Sequence, residues 1–210
     1  MTDQAFVAGV PLGQALQSVV REGFAFVPRA LMEAFRRDLH REIRAFPFEP
    51  VPEEIGPVRQ ETEECVIPAP IHGYPMLETL SQALVASVRE HQKASLGLDA
   101  WQPTAAFVQR YRAGALGITP HLDGRRFRLL VAVFTTNRSA LFSIHESRRG
   151  PATAGWAATP GSLVLLRGPG LAGVEDGRPF HSVGGPRDQE RYSVSFRMDT
   201  RRAELIEQKA

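Results

Sequence analysis

The chain has 210 residues, 43% of them hydrophobic and 23% charged, with 18 Gly and 16 Pro, a composition that fits one globular domain over 1–210 and excludes a disordered, collagenous or coiled-coil chain. A chain this long buries roughly 70% of its unfolded surface and needs no disulfide or structural metal, and its single cysteine, Cys65, suits a reducing compartment. The net charge of +2 is too small to imply a polyanion partner, and although 23 of the 25 basic residues are arginine, a coding bias explains that count as well as a function does.

The longest apolar run, residues 129–134, is far too short to cross a bilayer, and the N-terminal MTDQAFVAGV has neither a basic region nor a signal-length apolar core. A cytoplasmic protein with no membrane partner is expected. After the short strand-like FAFVP, Leu31, Phe35, Leu39 and Ile43 recur four apart and predict a helix over 29–46, with Arg36, Arg37, Arg41 and Arg44 on its other face. Leu77, Leu80, Leu84 and Val88 predict a second helix between 75 and 95. The intervening residues 47–75 hold too many prolines for a long helix, yet Phe48, Val51, Ile55, Val58, Val66 and Ile71 are too apolar for a free linker. An ordered cover with short edge strands is expected there, and a packed surface connection is a simpler reading of it than a substrate lid.

From residue 104 the chain offers seven short strands separated by turn residues: TAAFVQRYR, GITPHLD, FRLLVAVFTT, ALFSIHES, GSLVLLRG, PFHSVGG and RYSVSFRMDT. Seven strands suggest a sandwich or barrel with the helices as support. RLLVAVF does not alternate and should be central, covered on both faces.

A His-x-Asp arises by chance often enough in a chain with six histidines and seven aspartates to be weak evidence alone. On a strand, however, residues i and i+2 share a face, so His121 and Asp123 can act together. His40-Arg41-Glu42 lies in the predicted helix, where the two side chains diverge, and reads as a solvated face. His72, His91 and His145 lack such company. An imidazole and a carboxylate need one more nitrogen to complete the two-histidine, one-carboxylate set used for non-haem Fe(II), and His181, in a short strand after a Gly-rich loop, is the candidate. Alone it is an ordinary strand-end histidine.

The last strand adds an independent feature. In residues 191–197, Arg191, Ser193, Ser195 and Arg197 fall on one face, and Tyr192, Val194 and Phe196 on the other. If the apolar face packs on helices, the polar face is inside, and buried arginine calls for an anionic partner such as a carboxylate. AFVQRYR offers a matching face of Phe107, Gln109 and Tyr111. With its polar side in water, the same strand would carry no such meaning.

These residues resemble the Fe(II)/2-oxoglutarate-dependent dioxygenase family over roughly 101–200: WQP, then Tyr111-x-x-Gly114 leading into Ile118-x-x-His121-x-Asp123, then Pro160-Gly161-Ser162-Leu163, His181, and Arg191 with Ser193. The resemblance implies a double-stranded β-helix, a jelly-roll barrel, preceded by a helical half over 1–100 that supplies support and a substrate cover. It implies that His121, Asp123 and His181 hold Fe(II), and that Arg191, Ser193 and Tyr111 bind the distal carboxylate of 2-oxoglutarate, with Gln109 in the same pocket. RYSVSFR and VQRYRAG look most like the alkylation-repair (AlkB-like) branch, which would put Arg197 near the metal-binding aspartate and the oxoglutarate head. The chain departs from that branch in having Gln109 and Ser193 where asparagines are usual, and GRRFR after the first ligands where acidic residues are usual.

The expected activity is therefore O2-dependent oxidation of a small-molecule or peptide substrate. A second expectation is demethylation of alkylated nucleic acid, with Arg125, Arg126 and Arg128 on phosphates, and it is less favoured because no aromatic stacking platform flanks them. A non-catalytic barrel that keeps the ligands, and a cupin-like Zn or Mn site, fit the residue set less well.

Overall fold

Each helix forms around one apolar stripe, and the three stripes converge. In the computed structural model, which describes residues 4–91 and 96–201, α1 (Leu12–Glu22) buries Leu12, Ala15, Leu16 and Val19. This helix is not among those expected above, although its spacing is regular. Gly23, with φ at 91°, ends it and donates its N–H to Val19 O. The expected second element, α2 (Glu33–Ile43), buries Phe35, Leu39 and Ile43. It starts later than expected because the residues before it are committed elsewhere: Leu31 bridges Phe6, and Met32 N–H bonds Ala5 O. α3 (Pro75–His91) buries Leu77, Leu80, Leu84, Val85 and Val88, and the rest of its expected span, 92–95, lies outside the described residues.

The pair at His40 and Glu42 is not a solvated face. The Glu42 carboxylate accepts the N–H groups of Met76 at 3.0 Å and Leu77 at 2.9 Å, so one helix caps the N-terminus of the next. His40 is half-buried, 3.3 Å from Thr136 Oγ1 and edge-on to Tyr192.

Strands β1 (Phe24–Val27), β2 (Glu49–Pro50), β5 (Glu63–Pro68), β6 (Ala105–Tyr111), β8 (Phe127–Thr135), β11 (Leu163–Arg167) and β13 (Arg191–Asp199) make a seven-stranded sheet in the order β1-β11-β8-β13-β6-β5-β2. Four more, β7 (Gly117–His121), β9 (Ala140–His145), β10 (Ala152–Ala158) and β12 (Phe180–Gly184), make a facing sheet in the order β10-β9-β12-β7. All these pairings are antiparallel, and from β6 onward the chain passes back and forth between the sheets, which is the double-stranded β-helix. The half expected to be helical thus also contributes strands to the larger sheet.

β10 escaped the sequence reading because ATAGWAA is poor in β-branched residues. As an edge strand it is held instead by Trp156, whose ring lies 5.5 Å from both Phe24 and Phe26. β8 behaves as RLLVAVF predicts. Leu130, Ala132 and Phe134 join the core under the helices, and Val131 belongs to the core between the sheets. Trp101, 2% exposed, donates its indole N–H to Leu130 O at 2.8 Å.

Residues 47–75 are ordered, with β2 and β5 extending the larger sheet. Between those strands a hairpin of β3 (Glu54–Ile55) and β4 (Val58–Arg59) turns at Gly56 and is stitched to β7. Thr119 Oγ1 accepts Arg59 N–H at 2.9 Å and donates to Arg59 O at 3.0 Å, and Glu61 N–H reaches Gly117 O at 2.9 Å. Among the described residues no helix is long and apolar enough to cross a membrane.

Because Glu42 satisfies two end-of-helix donors, Glu42→Ala should lower the unfolding free energy by about 1–2 kcal/mol in urea titration, and Glu42→Gln by less.

Candidate functional site

The alternation of β13 decides what lies between the sheets. Tyr192, Val194 and Phe196 pack under the helices, which turns Arg191, Ser193, Ser195 and Arg197 toward the facing sheet. Register then supplies their neighbours. Arg191 is paired across β6 with Tyr111 and Ser193 with Gln109, while on the other side Ser193 is paired with Thr135 of β8. All of these except Ser195 line a cavity of about 250 Å³ that also holds His121, Asp123 and His181.

The three candidate metal ligands meet although 60 residues separate the first from the last, because β7 and β12 are neighbours and His121 pairs directly with His181. One ligand atom from each of His121, Asp123 and His181 lies within 4.8 Å of the others. His181 Nε2 is 4.0 Å from Asp123 Oδ2, and the imidazole centroids are 4.2 Å apart. Each imidazole is turned by the same local device. His121 Nδ1 lies 3.0 Å from Thr119 O, and His181 Nδ1 lies 3.1 Å from Pro179 O. A carbonyl only accepts, so each Nδ1 carries the proton and each Nε2 presents a lone pair. Phe142 stacks on His181 at 5.5 Å.

Electrostatics favour the neutral imidazoles and the ionised carboxylate. Burial pushes His121 down to about 4, with His181 adding to the shift, and burial lowers His181 as well. For Asp123 burial acts the other way, but Arg197, whose Nη1 lies 3.9 Å from Oδ1, with Arg178 adding to it, holds the carboxyl below its ordinary value. The Arg197 guanidinium sits 4.7 Å from the ring centroids of both Phe107 and Phe127.

Arg191 is 1% exposed. Its Nη2 donates to Thr135 Oγ1 at 3.0 Å and its guanidinium lies 5.0 Å from the centre of the Tyr111 ring, but Nε and Nη1 have no hydrogen-bond partner among the described residues. Tyr111 donates its hydroxyl to Gln109 Oε1 at 3.1 Å. Two donors of a buried cation left unpaired are costly in isolation, and they mark where an anion would fit.

The other expected residues do not form one group. Arg126 lines the cavity, with its Nε 3.0 Å from Asp199 and its guanidinium over Phe127. Arg125 points away into salt bridges with Glu175 at 3.4 Å and Asp176 at 3.6 Å, and Arg128 is exposed on β8. Two contributors were missed in the sequence. Thr135 was hidden because the unbroken apolar run before it conceals which face it is on, and Arg178 because its bond to Asp123 joins residues 55 apart in the chain. From the cover, Val51, Ile55, Val58, Gln60 and Glu64 line the cavity, so part of residues 47–75 is a wall of the site rather than only a surface connection.

No family model matches the chain, and no curated protein matches it in sequence. Solved structures do. A prolyl-4-hydroxylase from Pseudomonas putida superposes with a TM-score of 0.66 at 18% identity, covering 89% of this chain and 98% of its own. A Trichoplax adhaerens prolyl hydroxylase, in complex with a hypoxia inducible factor oxygen degradation domain peptide fragment, gives 0.64 at 14% identity, covering 93% and 92%. A 2OG-Fe(II) oxygenase family oxidoreductase from Burkholderia pseudomallei gives 0.62 at 13%, covering 89% of each chain. The chain therefore has the double-stranded β-helix fold of the 2OG-Fe(II) oxygenases, with its own cavity between the two sheets.

Proposed function

We propose that the protein is an Fe(II)- and 2-oxoglutarate-dependent dioxygenase that hydroxylates a C–H bond of a peptide or small molecule. One observation carries the reading: a single cavity contains both a cluster of two histidines and an aspartate and a buried arginine with two unpaired donors. Two imidazole nitrogens and one carboxylate oxygen are the donor set suited to non-haem Fe(II), and they leave coordination positions for other ligands. When bound, the metal with 2-oxoglutarate and O2 supplies the oxidation, yielding succinate, CO2 and a hydroxylated product.

The residues of the chain bind and orient. His121, Asp123 and His181 hold the metal, their tautomers and charge already set by Thr119 O, Pro179 O and Arg197. Arg191 takes the distal carboxylate of 2-oxoglutarate with Nε and Nη1, which turns the opposite end of the molecule toward the metal ligands. Ser193 and Tyr111 add hydroxyls, Tyr111 turning toward the carboxylate the proton that it gives here to Gln109. Arg197 keeps Asp123 ionised beside the oxoglutarate head. Apolar side chains between the sheets, Phe107, Phe127, Phe142 and Val183 among them, keep water from the site.

A peptide or small molecule is favoured over nucleic acid. The Trichoplax neighbour binds a peptide fragment, and Val51, Ile55, Val58 and Leu122 give the cavity an apolar wall, with Ile55 54% exposed. Arg125, Arg126 and Arg128 diverge, which leaves no continuous track for phosphates.

Anaerobic addition of Fe(II) and 2-oxoglutarate should produce a weak visible charge-transfer band, and O2 should then release succinate. Both should disappear in His121→Ala. A folded protein that binds metal but shows neither signal would instead be a non-catalytic barrel.

Arg191→Met should leave the ligand-free protein as stable as the wild type or up to about 2 kcal/mol more stable, since an under-satisfied buried charge gives way to an apolar chain. The rise in melting temperature that 2-oxoglutarate or succinate gives the wild type should be lost. A large drop in stability would make the guanidinium structural instead.

His121 titrates at about 4 when folded, against 6.5 for an unperturbed histidine, and His181 shifts in the same direction. The metal-free protein should therefore be fully stabilised above pH 6.5 and lose stability as pH falls toward 4. The expected loss is up to about 1.4 kcal/mol per pH unit for each imidazole. Urea unfolding between pH 7 and 4.5 checks this, and His121→Gln should flatten the slope.

A further inference from the structure

Asp123 lies two residues beyond the end of β7, and among the described residues no strand pairing reaches it. The ladder beside it is itself irregular, with a register shift between His181 and Val183. Strand pairing therefore fixes His121 against His181 but leaves the carboxylate ligand on a turn. Arg197 meets the Asp123 carboxylate at 3.9 Å, and what reaches the Asp123 main chain is Arg178, three residues ahead of His181 in the loop leading into β12.

The Arg178 side chain is 10% exposed, and all three of its nitrogens are used. Asp176 holds it in a fork, accepting from Nε at 2.8 Å and from Nη2 at 2.7 Å. Nη1 donates to the main-chain oxygen of Asp123. Arg125, two residues past Asp123, returns to Asp176 at 3.6 Å. The loop before the third ligand is thus cross-linked to the turn bearing the second, through charge-assisted bonds that need no metal.

We propose that Arg178, clamped by Asp176, is a positioning residue that holds Asp123 in reach of His121 and His181 before any metal arrives. The inference rests on the reading of those three residues as a metal site. A turn free to move would have to be ordered at the moment of binding, and the clamp removes that cost in advance. The role needs a planar fork: two nitrogens are committed to Asp176, and a third must point in a fixed direction at a carbonyl. An ammonium on a flexible stem has no such fixed geometry.

The test is direct binding of Mn(II) alone, read from the electron paramagnetic resonance signal of the free ion, to the wild type, Arg178→Lys, Asp176→Asn, the double variant and His181→Ala. Arg178→Lys should weaken Mn(II) binding about 10-fold or more, the usual scale for partners that orient metal ligands. Asp176→Asn, at a partly exposed position, should weaken it roughly 3-fold or more. The double variant should be no weaker than Arg178→Lys, because the two residues act as one unit. A purely structural pair would lower the melting temperature and leave the affinity of the folded protein unchanged. If the wild type binds Mn(II) more tightly than His181→Ala while Arg178→Lys and Asp176→Asn stay within about twofold of the wild type, the clamp is overturned and the metal site stands. If the wild type binds no more tightly than His181→Ala, the metal site falls and the clamp with it.

Discussion

A cation buried between two apolar layers is the constraint on which the arrangement depends. Arg191 is 1% exposed, donates to Thr135, and leaves Nε and Nη1 without a hydrogen-bond partner among the described residues. Such a group is tolerated only when much apolar burial elsewhere offsets its desolvation. That burial lies on the opposite face of the same strand, where Tyr192, Val194 and Phe196 meet Phe35, Leu39 and Leu80 of the helices in one core. The helical layer is thus what allows the sheet to turn a polar face inward. Aromatic faces soften the cost, with Tyr111 beside Arg191 and Phe107 and Phe127 beside Arg197.

The two sheets divide the site between them. The larger sheet presents the cations and hydroxyls, through pairs that register makes adjacent: Arg191 with Tyr111, and Ser193 with Gln109 and Thr135. The smaller sheet presents the imidazoles through the β7–β12 pair. Arg197 reaches across from the larger sheet to Asp123. The same backbone trick is used twice, an imidazole N–H given to the carbonyl two residues earlier, so each ring's orientation is set within its own strand segment. Asp123 has no such local anchor: Arg197 meets its carboxylate, and Arg178, from the loop before β12, its main-chain oxygen.

Residues 47–75 complete the enclosure by joining both sheets. β5 pairs with β6, while the β3–β4 hairpin is tied to β7 through Thr119, two residues before His121. One segment therefore spans the gap between the sheets and brings Val51, Ile55 and Val58 to the cavity. Its prolines keep it out of helix, and its apolar residues give it something to cover.

Much of this was legible in the chain itself, because alternation along a strand is a local property. The two faces of RYSVSFR and the apolar stripes of α2 and α3 follow from side-chain direction and need no partner to be read, whereas Asp123, expected to share a strand face with His121, lies beyond the end of β7 and reaches the site from a loop. His181 as the missing third ligand and Arg191 on the polar face of the last strand were picked out before the resemblance gave them roles, and in the structure both line the same cavity as His121 and Asp123. Other features were decided only by tertiary structure. Helix α2 is shortened by a bridge between Phe6 and Leu31, and Glu42 is a cap because α3 begins beside it. β10 is a strand despite its composition because Trp156 packs against Phe24 and Phe26. Arg125, expected as a substrate contact, is paired with Asp176. Each of these depends on residues distant in the chain, and a periodicity of two or 3.6 along one segment carries no information about which distant segment will lie against it.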